Sequence, residues 1–197
     1  MIVRVTVAAT LLLLAGGESR RMGRPKALLP VGGSTLIEWM AQKLGADFEH
    51  LLVSARDEGQ LPESLHAHLV LDLRPGAGPL AGIESGLAAT PHDVLVAVAC
   101  DMPGVGVELT RRLVAASGGH DAAVPRVGGR PEPTCAAYRR SEAGPISALL
   151  DAGGRRAAAA LQDLDVRWLD DEPAAQFANL NTPEDCATFL DAMRKWR

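Results

Sequence analysis

Short apolar runs alternate with helically spaced ones along most of this chain. Residues 5–14, 51–55, 69–71, 94–100 and 122–125 are dominated by valine, leucine and alanine, with little polar alternation. A strand wetted on one face would alternate, so these runs predict strands covered on both faces. Residues 35–44 place Leu36, Ile37, Met40 and Leu44 at helical spacing behind the capping box Thr35-x-x-Glu38. Residues 80–89, 108–117 and 155–164 also predict helices. Thr182-Pro183-Glu184-Asp185 is a helix start, with a cap, a proline at the first position and acids at the positive dipole end. That last helix is expected to run to about residue 194. The alternation predicts an α/β fold: a three-layer sandwich with a mostly parallel central sheet. Ligands of such sheets bind beyond the carboxyl ends of the strands.

A length of 197 residues predicts a single domain, 1–197. A hydrophobic share of 47% supplies one sizeable core and excludes chain-wide disorder. The net charge of −4 and the aromatic share of 4% argue against a nucleic-acid partner. The three cysteines, Cys100, Cys135 and Cys186, are widely spaced and form no C-x-x-C. They predict core thiols in a reducing compartment. The run 5–14 follows Arg4 like a short signal core, yet it is too short to span a bilayer and leads into Gly16-Gly17. It reads as a buried strand entering a glycine loop. The expectation is a cytoplasmic protein with no membrane partner.

The residues after each predicted strand carry the candidate chemistry. Gly16 and Gly17 let the backbone approach a ligand closely and can turn N–H groups toward phosphate. Arg20, Arg21, Arg24 and Lys26 follow, with Glu18 the one acid among them. In a net-acidic chain this is a local field for an anion. It is not a P-loop, because no Gly-Lys pair occurs. Asp101 ends the run 94–100 and fits either a Mg²⁺ ligand completed by substrate phosphates or a turn aspartate before Pro103. Asp72 ends 69–71 in the same way. Gly76-Ala77-Gly78-Pro79-Leu80-Ala81 satisfies G-x-G-x-x-A. It fits a dinucleotide site, a turn with close helix packing, or a loop shaping a substrate pocket. Asn179 and Asn181 offer amides to a heterocycle or cap the last helix. G-x-S-x-G is absent, and His66-x-His68 reads as a surface pair.

Leu14-Ala15-Gly16-Gly17-x-Ser19-x-Arg21-Met22-Gly23-x-x-Lys26 resembles the signature of nucleotidyltransferases with a Rossmann-like fold, the nucleotide-diphospho-sugar-transferase type. Gly78-Pro79-Leu80-Ala81-Gly82, Cys100-Asp101-Met102-Pro103 and Asn179-Leu180-Asn181-Thr182-Pro183-Glu184 resemble the molybdenum cofactor guanylyltransferases, the MobA family. The resemblance implies transfer of GMP from GTP to molybdopterin cofactor, with pyrophosphate released and Mg²⁺ required. It implies nucleotide contacts at Leu14, Ala15, Gly16, Gly17, Lys26, Asp72 and Asp101. It makes Arg21, Lys26 and Asp101 the catalytic set, with Asp101 the metal ligand. Gly78, Gly82, Asn179 and Asn181 match positions near the pterin or its phosphate. Partners beyond the two substrates would be molybdoenzyme apoproteins or their chaperones.

The chain departs from the pattern in three places. The Gly23–Lys26 spacing is one residue shorter than in some members, as in the related cytidylyltransferases. Ser54 stands where asparagine is frequent, and Glu132-Pro133-Thr134 where His-Pro-Thr is common. These fall on base and pterin contacts rather than on the reaction. The alternatives are a CTP-using cytidylyltransferase, an NAD-linked enzyme and a non-catalytic nucleotide-binding adaptor.

Overall fold

The computed structural model of the chain describes residues 6–16, 25–170 and 172–195. The central strand β1, Val7–Leu14, is followed by a short hairpin of β2, Pro30–Val31, and β3, Ser34–Thr35. Helix α1, Leu36–Leu44, leads to β4, Phe48–Ala55, and β5, Leu69–Leu71. Helix α2, Pro79–Ala89, returns the chain to β6, Val94–Ala99, and α3, Val107–Ala116, leads on to β7, Ala122–Val127. Then come β8, Arg130–Pro131, β9, Cys135–Arg139, α4, Ala143–Asp151, β10, Val166–Leu169, and α5, Pro183–Lys195.

The sheet order is β10-β7-β9-β6-β1-β4-β5, with β8 paired to β7. β6, β1, β4 and β5 are parallel, and β7 and β10 are parallel to each other. β9 runs antiparallel to both β6 and β7. The chain leaves β1 toward β4 and β5, then crosses back to β6 on the other side. The winding therefore reverses between β1 and β6, where their carboxyl ends part and a crevice opens.

Both faces of the sheet are covered, which is why β1 shows no alternation. Leu11 and Leu13 pack with Ile37 and Met40 of α1 and Leu109 and Leu113 of α3. Leu12 and Leu14 pack with Leu80, Ile83 and Leu87 of α2 and Ile146 and Leu150 of α4. The capping box of α1 forms: the Thr35 N–H donates to Glu38 Oε2 at 2.8 Å, and the Glu38 N–H donates to Thr35 Oγ1 at 3.4 Å. No described helix is long and apolar enough to cross a membrane.

One predicted element changes character. The helix expected over 155–164 is a short 3-10 turn, Ala157–Leu161. It buries Ala157 and Ala160, which line up at the three-residue repeat of a 3-10 helix.

Gly82 lets α2 lie close on the sheet. A Cβ there would collide with Ser54 Oγ and stand 2.9 Å from Leu14 Cδ2. Neither neighbour can retreat, because Ser54 is hydrogen-bonded and Leu14 is packed in the core. Gly82→Ala gains about 1 kcal/mol of helix propensity and loses roughly 1–3 kcal/mol to overpacking. The net expectation is a melting temperature lowered by a few degrees for a chain of this size. Thermal denaturation checks it; an unchanged or raised midpoint refutes it.

Candidate active site

The crevice between β1 and β6 is an open cleft of about 330 Å³. Leu14, Ala15 and Gly16 form one wall, and Ala99, Cys100, Asp101 and Met102 the other. Lys26, Pro79, Glu132, Thr134 and Asn179 complete it. The walls are continuations of sheet pairing. The Ala15 N–H donates to the Ser54 carbonyl at 2.9 Å, and the Cys100 N–H to the Leu14 carbonyl at 3.1 Å. The loop past β1 thus starts from a rigid base. Gly17 and Arg21, with the rest of 17–24, lie outside the described residues.

Lys26 stands at the centre. Its Nζ donates to Asp101 Oδ2 at 2.9 Å and to Asn181 Oδ1 at 2.7 Å. Both members of the ion pair keep about a fifth of their side-chain surface exposed, 20% for Lys26 and 22% for Asp101. Asp101 does not cap a helix, since α3 begins only at Val107 behind Gly106. Its main-chain carbonyl accepts from the Leu180 N–H at 2.8 Å, which brings the loop of Asn179 and Asn181 to the cleft. Asp185 holds that loop from the first turn of α5, accepting from the N–H groups of Asn181 and Thr182 at 2.8 Å each. Those two donors pull the Asp185 carboxyl below the usual range.

Asp72 sits beside the glycine loop. Its Oδ1 accepts from the Ser54 hydroxyl at 2.5 Å, and its Oδ2 lies 3.1 Å from where a Cβ on Gly16 would stand. Burial raises its pKa, against the opposing pull of the Ser54 hydroxyl and the charge on Arg56. Of the remaining predicted residues, Gly78 is exposed, has a φ of 78°, and precedes α2 directly. Gly82 does not reach the cleft surface: it is buried against Ser54 and Leu14, so its direct contact is with the sheet. The G-x-G-x-x-A segment is a turn with Gly76 and Gly78 at positive φ, and it delivers Pro79 to the cleft.

Three further residues shape the site: Glu132 and Thr134, from the segment where the chain departs from the family pattern, and Lys43, which no motif marked. Glu132 and Thr134 arrive from the turn before β9. Lys43 of α1 donates to the Pro103 carbonyl at 2.7 Å and lies 4.9 Å from the Trp39 ring centre, anchoring the loop after Asp101. Burial lowers its pKa to about 8. A lysine on a helix carries no sequence signal for such a role. Burial also pushes the Cys100 thiol up to about 12, so it is a wall and not a nucleophile. Among the described residues, no group of three His, Cys, Asp or Glu could hold a metal. The donor set fits a hard cation that takes one carboxylate and brings its remaining oxygens with the substrate.

Comparison with known proteins gives the chemistry a family. The pattern of the MobA-like NTP transferase domain matches residues 11–176. The chain belongs to this family. The molybdenum cofactor guanylyltransferase of Cereibacter sphaeroides is 39% identical over 190 residues, covering 93% of this chain and 96% of that protein. That of Rhodobacter capsulatus is 39% identical over 191 residues with the same coverage. Among solved structures, molybdopterin-guanine dinucleotide biosynthesis protein A from Archaeoglobus fulgidus superposes with a TM-score of 0.80 at 30% identity, covering 94% of this chain and 99% of that one. The 2-C-methyl-D-erythritol 4-phosphate cytidylyltransferase of Thermus thermophilus shares the fold, with a TM-score of 0.71 at 22% identity over 93% of this chain and 98% of its own. As a MobA-like NTP transferase the chain is a nucleotidyltransferase. The match stops short of Asn179 and Asn181, which complete the cleft in space.

Proposed function

We propose that this chain transfers GMP from GTP to the terminal phosphate of molybdopterin, giving the guanine dinucleotide cofactor and pyrophosphate. The observation that carries the reading is Lys26 bridging Asp101 and Asn181 at the switch point of the sheet. The near-full-length likeness to molybdenum cofactor guanylyltransferases supports the choice of substrates.

A phosphate oxygen of molybdopterin attacks the α-phosphorus of GTP, a new P–O–P link forms, and the bond to the β-phosphate breaks. The attacking oxygen is already anionic, so no strong protein base is needed. The chain's work is positioning and charge neutralisation. Lys26 turns from Asp101 to the triphosphate, and Arg21 joins it from the glycine loop. Ala15, Gly16 and Gly17 follow the phosphates with backbone, and Asp72 stands at the nucleotide end. Gly78, Asn179 and Asn181 border the second substrate, and Gly82 acts from below by seating α2. Asp101 would hold Mg²⁺, which offsets phosphate charge and orients the attack when bound. The buried thiols of Cys100 and Cys135, both unpaired, support work in the reducing cytoplasm. The product is destined for molybdoenzyme apoproteins or their chaperones.

Pyrophosphate release from purified protein with Mg²⁺, molybdopterin and one nucleotide at a time tests the reading. GTP is expected to support release and CTP not. Release with CTP alone moves the chain to the cytidylyl branch. Binding of GTP without release makes it an adaptor.

A further inference from the structure

We propose that Arg74 is a positioning residue for the nucleotide: it fastens the loop between β5 and α2, so that Asp72 stays against Gly16 and Pro79 stays on the cleft wall. This rests on the reading of the cleft as a GTP site given above.

The loop 73–78 has little to hold it. The Asp72 N–H still pairs with the sheet, donating to the Ala55 carbonyl at 3.0 Å, and there the pairing ends. Gly76 and Gly78 have φ of 83° and 78°, a region that glycine enters at little steric cost. Leu73 is 63% exposed, and Ala77 is the one buried side chain of the loop. A segment with so little apolar burial depends on its polar ties.

Arg74 supplies them. Its Nε donates to both carboxylate oxygens of Glu84 on α2, at 3.1 Å each. Its Nη1 donates to Asp151 Oδ1 at 2.6 Å and its Nη2 to Ser147 Oγ at 3.0 Å, both on α4. One guanidinium therefore joins the loop to two helices, with a planar fork that a lysine could not reproduce. On either side of it, the Leu73 N–H donates to Ser85 Oγ at 2.8 Å, and the Ala77 N–H closes the turn on the Arg74 carbonyl at 3.1 Å.

Glu84 keeps the fork in place. Its side chain is 5% exposed, and among the described residues Arg74 alone engages it. A buried carboxylate is costly without its countercharge, so Arg74 does not swing out to solvent. The loop is thereby pinned between Asp72 and Pro79. Asp72 Oδ2 lies 3.1 Å from where a Cβ on Gly16 would stand, and Pro79 lines the cleft. Drift of the loop would move both relative to the backbone that follows the phosphates.

The test separates positioning from stability. Arg74→Met alone should lower the melting temperature, because Glu84 is left charged and buried. Arg74→Met with Glu84→Met removes the pair together, and apolar replacement of a buried pair is often neutral or stabilising. This double variant should melt close to wild type. Its kcat/KM for GTP, at saturating molybdopterin and Mg²⁺, is expected to fall roughly 10- to 100-fold, the scale of a misplacement of about 1 Å. The loss should lie in KM, with kcat kept. Hydrogen exchange supplies a readout besides activity: the Leu73 and Ala77 amides should exchange faster, while those of β1 stay protected. A double variant that melts like wild type and keeps its KM for GTP, or loses kcat alone, would overturn the assignment. If the double variant melts well below wild type, Arg74→Lys decides, because it keeps a charge beside Glu84 and gives up the fork. An unchanged KM for GTP in that variant sinks the proposal. If wild type does not turn over GTP, the reading of the site fails on its own. Hydrogen exchange then still judges Arg74, and unchanged exchange at both loop amides counts against it.

Discussion

Asp101→Ala will fold normally and transfer GMP roughly 100- to 1000-fold more slowly than wild type, by analogy with loss of one preorganised charge-stabilising group. The fold should tolerate the change. The Lys26–Asp101 pair is partly exposed, and pairs of this kind contribute about 1 kcal/mol or less to stability. The tie from the Leu180 N–H to Asp101 uses the main chain and survives the substitution. Lys26 keeps its bond to Asn181. The defect should therefore be kinetic, with a melting temperature close to that of wild type. Single-turnover measurement with saturating GTP and Mg²⁺ decides it. A rate near wild type would remove Asp101 from the reaction.

Lys26→Met is the second large effect, with kcat/KM for GTP lowered about 100-fold at ordinary Mg²⁺. The methionine keeps the apolar stem and removes the charge. Asp101 is then left without its 2.9 Å countercharge, facing the incoming triphosphate. Metal-free GTP binding should consequently fall further than binding with Mg²⁺ present, because a cation on Asp101 relieves the repulsion. Calorimetric titration with and without Mg²⁺ measures the difference. Equal losses in the two conditions would show that Lys26 and Asp101 do not share one electrostatic problem.

Much of this was legible in the sequence because two-sided burial leaves an unbroken apolar run. The five strand runs correspond to β1, β4, β5, β6 and β7, and the Thr35 capping box marked the start of α1. β9, α4 and β10 were not legible, for local reasons. β9 reads Cys-Ala-Ala-Tyr-Arg and lacks β-branched residues. Its first four residues are buried on both faces, so no alternation marks it. α4 carries Gly144 and Pro145 in its first turn, where they read as breakers, although proline is acceptable there. β10 is short and half-exposed. The reversed strand β9 is the costly omission, because it brings Glu132 and Thr134 beside Asp101. Asp101 and Lys26 could each be proposed from the sequence, but their contact spans 75 positions and needed the fold. Gly82 matched a substrate motif, while its burial against Ser54 is visible only in three dimensions.

The bond from Leu180 to Asp101 also sets an order of events in the cell. Chains emerge from the ribosome from the amino terminus, and early segments begin to fold first. β1, β4, β5 and β6 can pair long before residues 179–181 exist. Until then Lys26 has no Asn181 to meet, and the wall that Asn179 completes is missing. A nascent chain can therefore build the parallel half of its sheet, β6, β1, β4 and β5, without possessing a finished cleft. Translation itself withholds the last wall of the cleft until the strands that carry the other walls have already been made.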